Sequence, residues 1–491
     1  MKFCPECGAK LVSQKFCAEC GADLRKYFED TNNGSSLGNF DFSALEQEAQ
    51  KQLSEQERRR KIEQEFNISY NGCLSQYYGN GGDILIPKEV TFFYGAVFSK
   101  NQNITSVTFE GTVPDIPDFA FEKCSNLKHV LLPEGITSIG AYAFRGCTNL
   151  ESITIPSSVT SIDDRAFCDC SNLKSIAFNG AGAIGSLAFE NCSSLASLTL
   201  PEGTRTIGGY AFRNCKSLKH ITIPGSVTEI KVGAFIDCTA LETLQYNARR
   251  ATVYTEYSTM PFSRAGISGR GFSATFGSAV QHVPDCLLAS YGDEAGKVIS
   301  VAFEGSSCES IGRSAFLGNA YLDSIRIPDS VREIGEAAFY DCVKLRSITL
   351  PRQLTVIAAD TFVCCSSLTS ITLPESITAI EHHAFWGSGI TSITLPGRIT
   401  ELRNGAFAGC KKLTSVYLPQ SLRVIEDEAF SDCESLESIT LPSSIMDVAP
   451  VCFSGCNRLR TIRVPARVAY SESSKCRLFK YVMPNVSVIS Y

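Results

Sequence analysis

The stretch that decides the fold is "AFRGCTNLESITIP" at residues 143–156, because close copies of it recur along the chain. When the copies are aligned on Phe144, they form two series in which neighbours are 22 or 23 residues apart. Self-similarity at this period is typical of a solenoid, in which each coil packs only on its neighbours. The aligned residues are Phe98, Phe121, Phe144, Phe167, Phe189, Phe212 and Phe235 in the first series, and Phe316, Phe339, Phe362, Phe385, Phe407, Phe430 and Phe453 in the second.

Each copy also contains a short alternating segment before a proline, such as "SITIP" at residues 152–156. A period of two predicts a strand with one buried face, and proline ends the strand because it cannot donate a ladder hydrogen bond. Stacked copies therefore predict a repeat solenoid with a parallel sheet along one face. We expect the first array of repeats over residues 67–245 and the second over residues 301–465. The diverged segment 466–491 is expected to cap the last coil, because an open end would expose the core.

The two phrases L-x-x-I-x-L-P and A-F-x-x-C recur over about residues 83–465 and resemble the BspA-like, or Treponema pallidum-type, leucine-rich repeats. This resemblance implies a leucine-rich-repeat solenoid with a parallel β-sheet on the concave face and an irregular or short-helical convex side. Many members of that family are bacterial surface proteins implicated in attachment to host proteins or to other bacteria. The resemblance therefore implies a non-catalytic role in binding.

The sequence shows no visible export signal and no apolar run long enough for a membrane span. The location we expect is therefore cytoplasmic. The alternative, which the resemblance supplies, is the cell surface or secretion by a non-standard route.

The position of Cys147, three residues after Phe144, holds a cysteine in eleven repeats. A residue at one fixed register of every coil projects into the same part of the core. We therefore predict a buried ladder of small hydrophobic thiols whose weak S–H donors meet loop carbonyls. Asn319 and Ser388 replace the cysteine in two repeats. The ladder cysteines are Cys124, Cys147, Cys170, Cys192, Cys215, Cys238, Cys342, Cys365, Cys410, Cys433 and Cys456.

The N-terminal 24 residues contain two copies of C-x-x-C-G-x-x-L, which supply Cys4, Cys7, Cys17 and Cys20. Each C-x-x-C turn can direct two thiolates to one point, and four thiolates satisfy tetrahedral zinc. A four-cysteine site has no open coordination position, so the metal is expected to be structural. Residues 1–24 are thus predicted to form a zinc ribbon that holds one Zn²⁺, and they are similar to short ribbons at the start of many bacterial and archaeal proteins.

A flexible linker over residues 25–40 and a charged helix over residues 41–66 are predicted between the ribbon and the repeats. The helix has a narrow apolar stripe in highly charged surroundings. Two interpretations fit it. The stripe either packs on the first repeat as an N-terminal cap or spacer, or it forms a coiled-coil contact with a second chain.

The outward positions of the predicted sheet are mostly serine and threonine, so larger side chains there are candidate anchors for a protein partner. Aromatic and arginine residues have the largest energies in protein interfaces, which is why the exceptions to the serine and threonine pattern are informative. The candidates on this face are His129, Leu131, His220, Gln245, Arg326, Tyr417 and Arg463.

The gap between the arrays, residues 246–300, is expected to hold an irregular insert followed by a diverged repeat. Its first part interleaves arginine with aromatic residues, which could bind a protein or a nucleic-acid strand, or could form a loop packed over the solenoid. The candidates in this segment are Arg249, Arg250, Tyr254 and Tyr257.

The net charge argues against nucleic-acid binding, and the motifs argue against catalysis. A net charge of −6 over 491 residues makes nucleic-acid binding unlikely. No hydrolase, phosphate-binding or metalloprotease motif is present, and His282 near Cys286 has no third partner in the sequence. We therefore expect an interaction protein, not an enzyme, that binds a protein partner on its concave face. The alternatives are a surface adhesin or glycan-binding protein and, with less support, a nucleic-acid adaptor.

Overall fold

The computed structural model of the chain describes residues 42–256, 259–292, 295–449, 451–466 and 486–491. The predicted zinc ribbon and linker lie outside the described residues. The described part begins with helix α1 (Phe42–Glu65) and an antiparallel hairpin of β1 (Phe66–Ile68) and β2 (Cys73–Tyr77). From there the chain winds as a solenoid, and each regular coil has a first strand, a second strand and a turn.

The first strands of neighbouring coils lie side by side in parallel, in six hydrogen-bonded runs that we together call the first sheet, which is the face predicted to be concave. They are β3 (Gly82–Ile86), β5 (Ile104–Phe109), β7 (His129–Val130), β9 (Ser152–Ile155), β11 (Ser175–Phe178), β13 (Ser197–Thr199), β15 (His220–Ile223), β17 (Thr243–Tyr246), β19 (Phe272–Phe276), β21 (Val298–Phe303), β23 (Ser324–Arg326), β25 (Ser347–Thr349), β28 (Ser392–Thr394), β30 (Ser415–Tyr417), β32 (Ser438–Thr440), β34 (Thr461–Val464) and β35 (Ser487–Ser490).

The second strands are only two residues long, and on another side of the coils they pair in parallel in three runs that we together call the second sheet. The first of them pairs with the hairpin instead. They are β4 (Phe92–Phe93), β6 (Asp115–Ile116), β8 (Ser138–Ile139), β10 (Ser161–Ile162), β12 (Ala183–Ile184), β14 (Thr206–Ile207), β16 (Glu229–Ile230), β18 (Thr252–Val253), β20 (His282–Val283), β22 (Ser310–Ile311), β24 (Glu333–Ile334), β26 (Val356–Ile357), β27 (Ala379–Ile380), β29 (Glu401–Leu402), β31 (Val424–Ile425) and β33 (Asp447–Val448).

The third side of each coil is a turn around the repeat phenylalanine. In the coil of Phe144 the turn covers residues 141–146, and both Tyr142 (φ 59°) and Gly146 (φ 73°) are left-handed. A residue in the left-handed region cannot continue a right-handed helix. The expectation of short helices on the convex side is therefore wrong, and no described residue between Phe66 and Val464 is α-helical. The turn side is irregular, as expected, and the second sheet is an additional regular element that was not expected.

The repeat phenylalanines are buried and stack on one another through the core. Phe98 lies 5.0 Å from Phe121 with an angle of 3° between the rings, and the stack continues in this way to Phe235. Phe262 extends it, because its ring lies 5.0 Å from that of Phe235. Residues 246–272, which were expected to be an irregular insert, thus contribute the strands and the stacked ring of a further coil.

A second stack runs from Phe316 to Phe453. Between the two stacks, Leu288 takes the equivalent position, since its N–H donates to the Ala315 carbonyl as that of Phe316 donates to Ala338. Despite this break in the aromatic stack, one hydrophobic cluster of buried residues extends from Phe66 to Val464.

The predicted cysteine ladder is confirmed. Cys147 is buried, and its thiol donates to the carbonyl oxygen of Phe121 at 3.2 Å. All eleven ladder thiols make the same bond to the phenylalanine of the preceding coil, at 3.0 to 3.4 Å. Asn319 substitutes for the thiol by donating to the Leu288 carbonyl at 3.0 Å, whereas the hydroxyl of Ser388 lies 3.3 Å from the Cys410 sulfur.

Both ends of the solenoid carry elements outside the repeat pattern. Helix α1 leads directly into the hairpin, and Arg58 of the helix pairs with Glu89 at 3.0 Å and with Glu110 at 2.6 Å. Ile62 packs against the core, so the last turns of the helix contact the first coils as the cap interpretation requires. At the other end, β35 adds to β34 in parallel and extends the first sheet by one strand.

Candidate protein-binding face

The outward side chains of the first sheet form two parallel rows, which we call the serine row and the threonine row. Ser152 and Thr154 of one strand show the pattern, because Ser175 and Ala177 of the next strand pair with them. Neighbouring strands place successive members of a row about 4.8 Å apart. Most members are small and uncharged, so a large side chain on either row stands out from a flat polar surface.

The predicted candidates fall on these two rows, but the structure distributes them along the solenoid and does not gather them into one site. His129 and His220 lie on the serine row, opposite Ser106 and Ser197. The candidates on the threonine row are Leu131, Gln245, Arg326, Tyr417 and Arg463.

Large side chains concentrate on the threonine row at the C-terminal end. Tyr417 is 65 % exposed, and Arg463 follows two strands later with Thr440 between them. Ile489 of the last strand lies beside Arg463 and is also exposed. Neither Tyr417 nor Arg463 has a side-chain hydrogen bond or ion pair among the described residues. The four consecutive strands therefore present an aromatic, a cationic and an apolar side chain over about 14 Å.

A second concentration lies at the N-terminal end. Leu85 and Leu131 occupy the threonine row with Thr108 between them, and both leucines are at least half exposed. On the serine row, the carboxylate of Asp83 accepts hydrogen bonds from Ser106 at 2.6 Å and from Thr105 at 2.9 Å. These two hydroxyls lower the pKa of Asp83, so the carboxylate is ionised at neutral pH.

Two of the predicted candidates are engaged by neighbours on the same face. The Nδ1 atom of His220 lies 2.9 Å from the Thr243 hydroxyl. The side-chain amide of Gln245 donates to Asn247 at 2.9 Å and to Glu304 at 3.2 Å. A partner would have to displace these bonds, so both residues are weaker candidates than the free side chains of the threonine row.

Leu85 and Ile489 were not found from the sequence. The segment around Leu85 reads "GDILIP", which lacks the serine and threonine of the other copies and the preceding leucine. Ile489 lies beyond the last recognisable repeat, in a segment expected only to cap the solenoid. The β-branched pair Val488 and Ile489 in "SVISY" at residues 487–491 was the one signal that could have identified this strand.

The arginine and aromatic candidates of the segment 246–272 lie at different positions around one coil. Arg250 donates to Gln281 at 3.0 Å and to Glu309 at 2.9 Å, and Arg249 lies beside it between β17 and β18. Tyr254 directly follows β18, where the Lys231 ammonium is 3.6 Å from the centre of its ring. Tyr257 lies outside the described residues. The described candidates thus pack on the solenoid instead of forming one strip.

His282 and Cys286, the nearest that the sequence comes to a catalytic pair, make no hydrogen bond to each other among the described residues. Nδ1 of His282 lies 2.8 Å from the Ser310 hydroxyl, and burial lowers the pKa of His282. Burial also raises the pKa of Cys286, which keeps that thiol protonated and a poor nucleophile. Within the described ranges, no group of three or more histidine, cysteine, aspartate or glutamate residues could hold a metal ion. The described residues include no helix with both the length and the apolar character of a membrane span.

A sequence profile described as "BspA type Leucine rich repeat region (6 copies)" matches residues 76–181, 174–260, 294–414 and 400–482, which is most of the chain. A leucine-rich repeat protein from Bacteroides ovatus has a similar solved structure, with 22 % identity, 87 % of this chain and 97 % of that chain covered, and a TM-score of 0.52.

Two further solved structures also match. A leucine-rich cell surface protein from Faecalibacterium prausnitzii is 27 % identical over 69 % of this chain and 91 % of that chain, with a TM-score of 0.37. A leucine-rich repeat protein from T. pallidum is 25 % identical over 41 % and 86 %, with a TM-score of 0.33. The comparison with curated proteins finds no match.

Proposed function

The chain belongs to the BspA-type leucine-rich repeat family, and from this premise we propose that it is a non-catalytic interaction protein that binds a protein partner on the first sheet. The observation that carries the proposal is the C-terminal part of the threonine row. Tyr417, Arg463 and Ile489 are large and exposed on an otherwise small and polar surface, and their side chains make no hydrogen bond or ion pair among the described residues. Side chains of the first two types have the largest energies in protein interfaces.

The experiment that tests this proposal is affinity capture from a lysate of the source organism, followed by titration with the captured protein. We expect the variant with Tyr417→Ala and Arg463→Ala to lose about 30-fold or more in affinity, since two truncated anchors each cost on the order of 1–2 kcal/mol. The matched control carries Tyr94→Ala and Arg352→Ala, which remove the same residue types from exposed positions off the two rows. Equal binding by both double variants would overturn the proposal.

We also propose that residues 1–24 form a zinc ribbon, on the spacing of the four N-terminal cysteines alone. We expect one zinc per chain by elemental analysis, and we expect Cys4→Ser with Cys17→Ser to reduce it to about zero because a structural site needs all four thiolates. The control is Cys73→Ser, which changes a partly exposed cysteine outside the ribbon. Full zinc content in the double variant would contradict the assignment.

We propose two alternative locations for the protein, the cytoplasm and the cell surface. All the described cysteines are free, which favours a reducing compartment such as the cytoplasm. The resemblance to a family with many surface members favours the cell surface, where the same threonine row would act in an adhesin. Protease treatment of intact cells separates the two, because only a surface protein is digested. The nucleic-acid alternative has less support, because Arg250 and Arg264 are paired with carboxylates.

A further inference from the structure

The first sheet begins at β3, and β3 has a strand on only one side. Residues of the threonine row direct their main-chain groups at the preceding strand. The N–H of Leu131 donates to Val107 at 3.0 Å, and the carbonyl of Arg463 accepts from Leu441 at 2.9 Å. Leu85 has the same register, but no described strand of the first sheet precedes it. Its N–H and C=O groups therefore face away from β5 along a free edge.

The N-terminal cap leaves this edge uncovered. The hairpin of β1 and β2 joins β4 of the second-strand side and does not pair with β3. Asp83 and Leu85 are both exposed, and Leu85 is accessible over 50 % of its surface. Neither residue has a main-chain hydrogen bond outside the pairing with β5 among the described residues. A free strand edge of this kind is a template for an added strand.

The side chains beside the edge restrict what can be added. Leu85 and Leu131 offer apolar surface on the outward face, and Asp83 offers an ionised carboxylate one row away. A segment that pairs with β3 would place its alternate side chains next to these groups, because outward residues of neighbouring strands lie side by side. A basic side chain opposite Asp83 and an apolar one opposite Leu85 would match both.

We propose that an extended segment of a partner protein, with a basic residue two positions from an apolar one, adds to the free edge of β3 as a further strand. The main-chain groups of Asp83 and Leu85 supply the hydrogen bonds, and their side chains supply the selectivity. A second copy of this chain fits less well. Antiparallel pairing of two β3 strands would bring two Asp83 carboxylates to one patch without a cation. The site is separate from the C-terminal part of the threonine row, so either proposal can fail without the other.

The test begins with the full chain immobilised and panned against a phage-displayed library of random dodecapeptides. The affinities of the most enriched peptides are then measured by fluorescence polarisation for the wild type and two variants. Leu85→Ala removes the side chain and keeps the N–H, whereas Leu85→Pro removes both. Proline is tolerated at an edge position whose N–H faces solvent. Leu131→Pro is the matched proline variant inside the sheet, and urea unfolding should show it to be destabilised, unlike Leu85→Pro, because it removes the bond from the Leu131 N–H to Val107.

We expect enriched peptides to carry the basic and apolar residues at the stated spacing. We expect Leu85→Pro to weaken binding about tenfold more than Leu85→Ala, which corresponds to one lost hydrogen bond. Asp83→Asn should remove the preference for the basic residue. Hydrogen exchange of the wild type gives a readout without any variant, since a bound peptide should slow exchange in residues 82–86.

Four outcomes would overturn the proposal. They are the absence of enriched peptides, equal losses for Leu85→Pro and Leu85→Ala, unchanged exchange at residues 82–86, and a wild-type dimer in sedimentation equilibrium that Leu85→Pro dissociates. The last result would assign the edge to a second copy of the chain.

Discussion

Raising the pH from 8 to 10 is expected to unfold the repeat array, because the cysteine ladder buries thiols that must remain protonated. Burial raises the pKa of Cys124, Cys342 and Cys410 to about 12, and it raises the pKa of six other ladder thiols as well. A hydrogen bond to the Cys456 thiol, together with burial, raises the pKa of Cys433. In the unfolded chain a cysteine ionises near pH 8.5. Between about pH 8.5 and 12 the unfolded state therefore binds fewer protons than the folded state.

Stability is fully present below about pH 8.5, and it falls as the pH rises because ionisation is available only to the unfolded chain. Each thiol that unfolds with a cooperative unit lowers the free energy of unfolding by about 1.4 kcal/mol per pH unit. Three coils that unfold together would lose roughly 6 kcal/mol between pH 8.5 and pH 10, which is comparable with the whole stability of a typical domain.

The measurement is urea unfolding in the presence of a reductant at several pH values between 7.5 and 10.5. Lysine and tyrosine side chains also titrate in this range, so the control is a variant with Cys147→Ala and Cys170→Ala. Its free energy of unfolding should fall less steeply with pH than that of the wild type, by about 2.7 kcal/mol per pH unit if both thiols belong to one cooperative unit. A slope equal to that of the wild type would show that the ladder does not set the alkaline limit.

The ladder was predictable from the sequence because its geometry follows from register alone. A residue that recurs three positions after Phe144 and its equivalents has to enter the same place in every coil. The carbonyl acceptor was also predictable, since a buried donor needs a partner. The parallel first sheet follows from the alternation in "SITIP" by the same reasoning.

The second sheet and the turns were harder to predict, for a physical reason. A two-residue strand such as Ser138–Ile139 is too short for any period to show in the sequence. The turn around Phe144 contains no proline and reads "GAYAFRG", which is compatible with a helical turn. Only Gly146 at one of the two left-handed positions indicated a turn, and Tyr142 at the other gave no such signal.

The binding candidates also divide into those that the repeat register predicts and those that it does not. Tyr417 and Arg463 were found because they interrupt a regular row of small polar residues. Leu85 and Ile489 lie in the first and last strands of the sheet, where the repeat pattern fades because the neighbouring element is a cap. Residues at the ends of a solenoid are thus the least predictable from the repeat, although the ends are where unpaired edges and exposed apolar side chains concentrate.

Replacement of Phe167 by alanine is expected to lower the free energy of unfolding by about 3–5 kcal/mol. The Phe167 side chain is fully buried, and its ring lies 5.1 Å from both Phe144 and Phe189 in the stack. Alanine would leave a cavity that the neighbouring coils cannot fill, because the strands on either side fix the distance between coils. Two ring–ring contacts, each worth about 0.5–1.5 kcal/mol, would be lost as well.

Two matched variants separate the cavity from the loss of stacking. Phe119→Ala removes an aromatic ring that stacks on Tyr142 at 4.9 Å but is 38 % exposed, so we expect a loss of about 1 kcal/mol or less. Phe167→Leu keeps most of the volume, as Leu288 does at the natural break between the two stacks, and should cost about 1–2 kcal/mol. Urea unfolding followed by circular dichroism ranks the three variants. If Phe167→Ala cost no more than Phe119→Ala, the buried stack could not be what holds successive coils together.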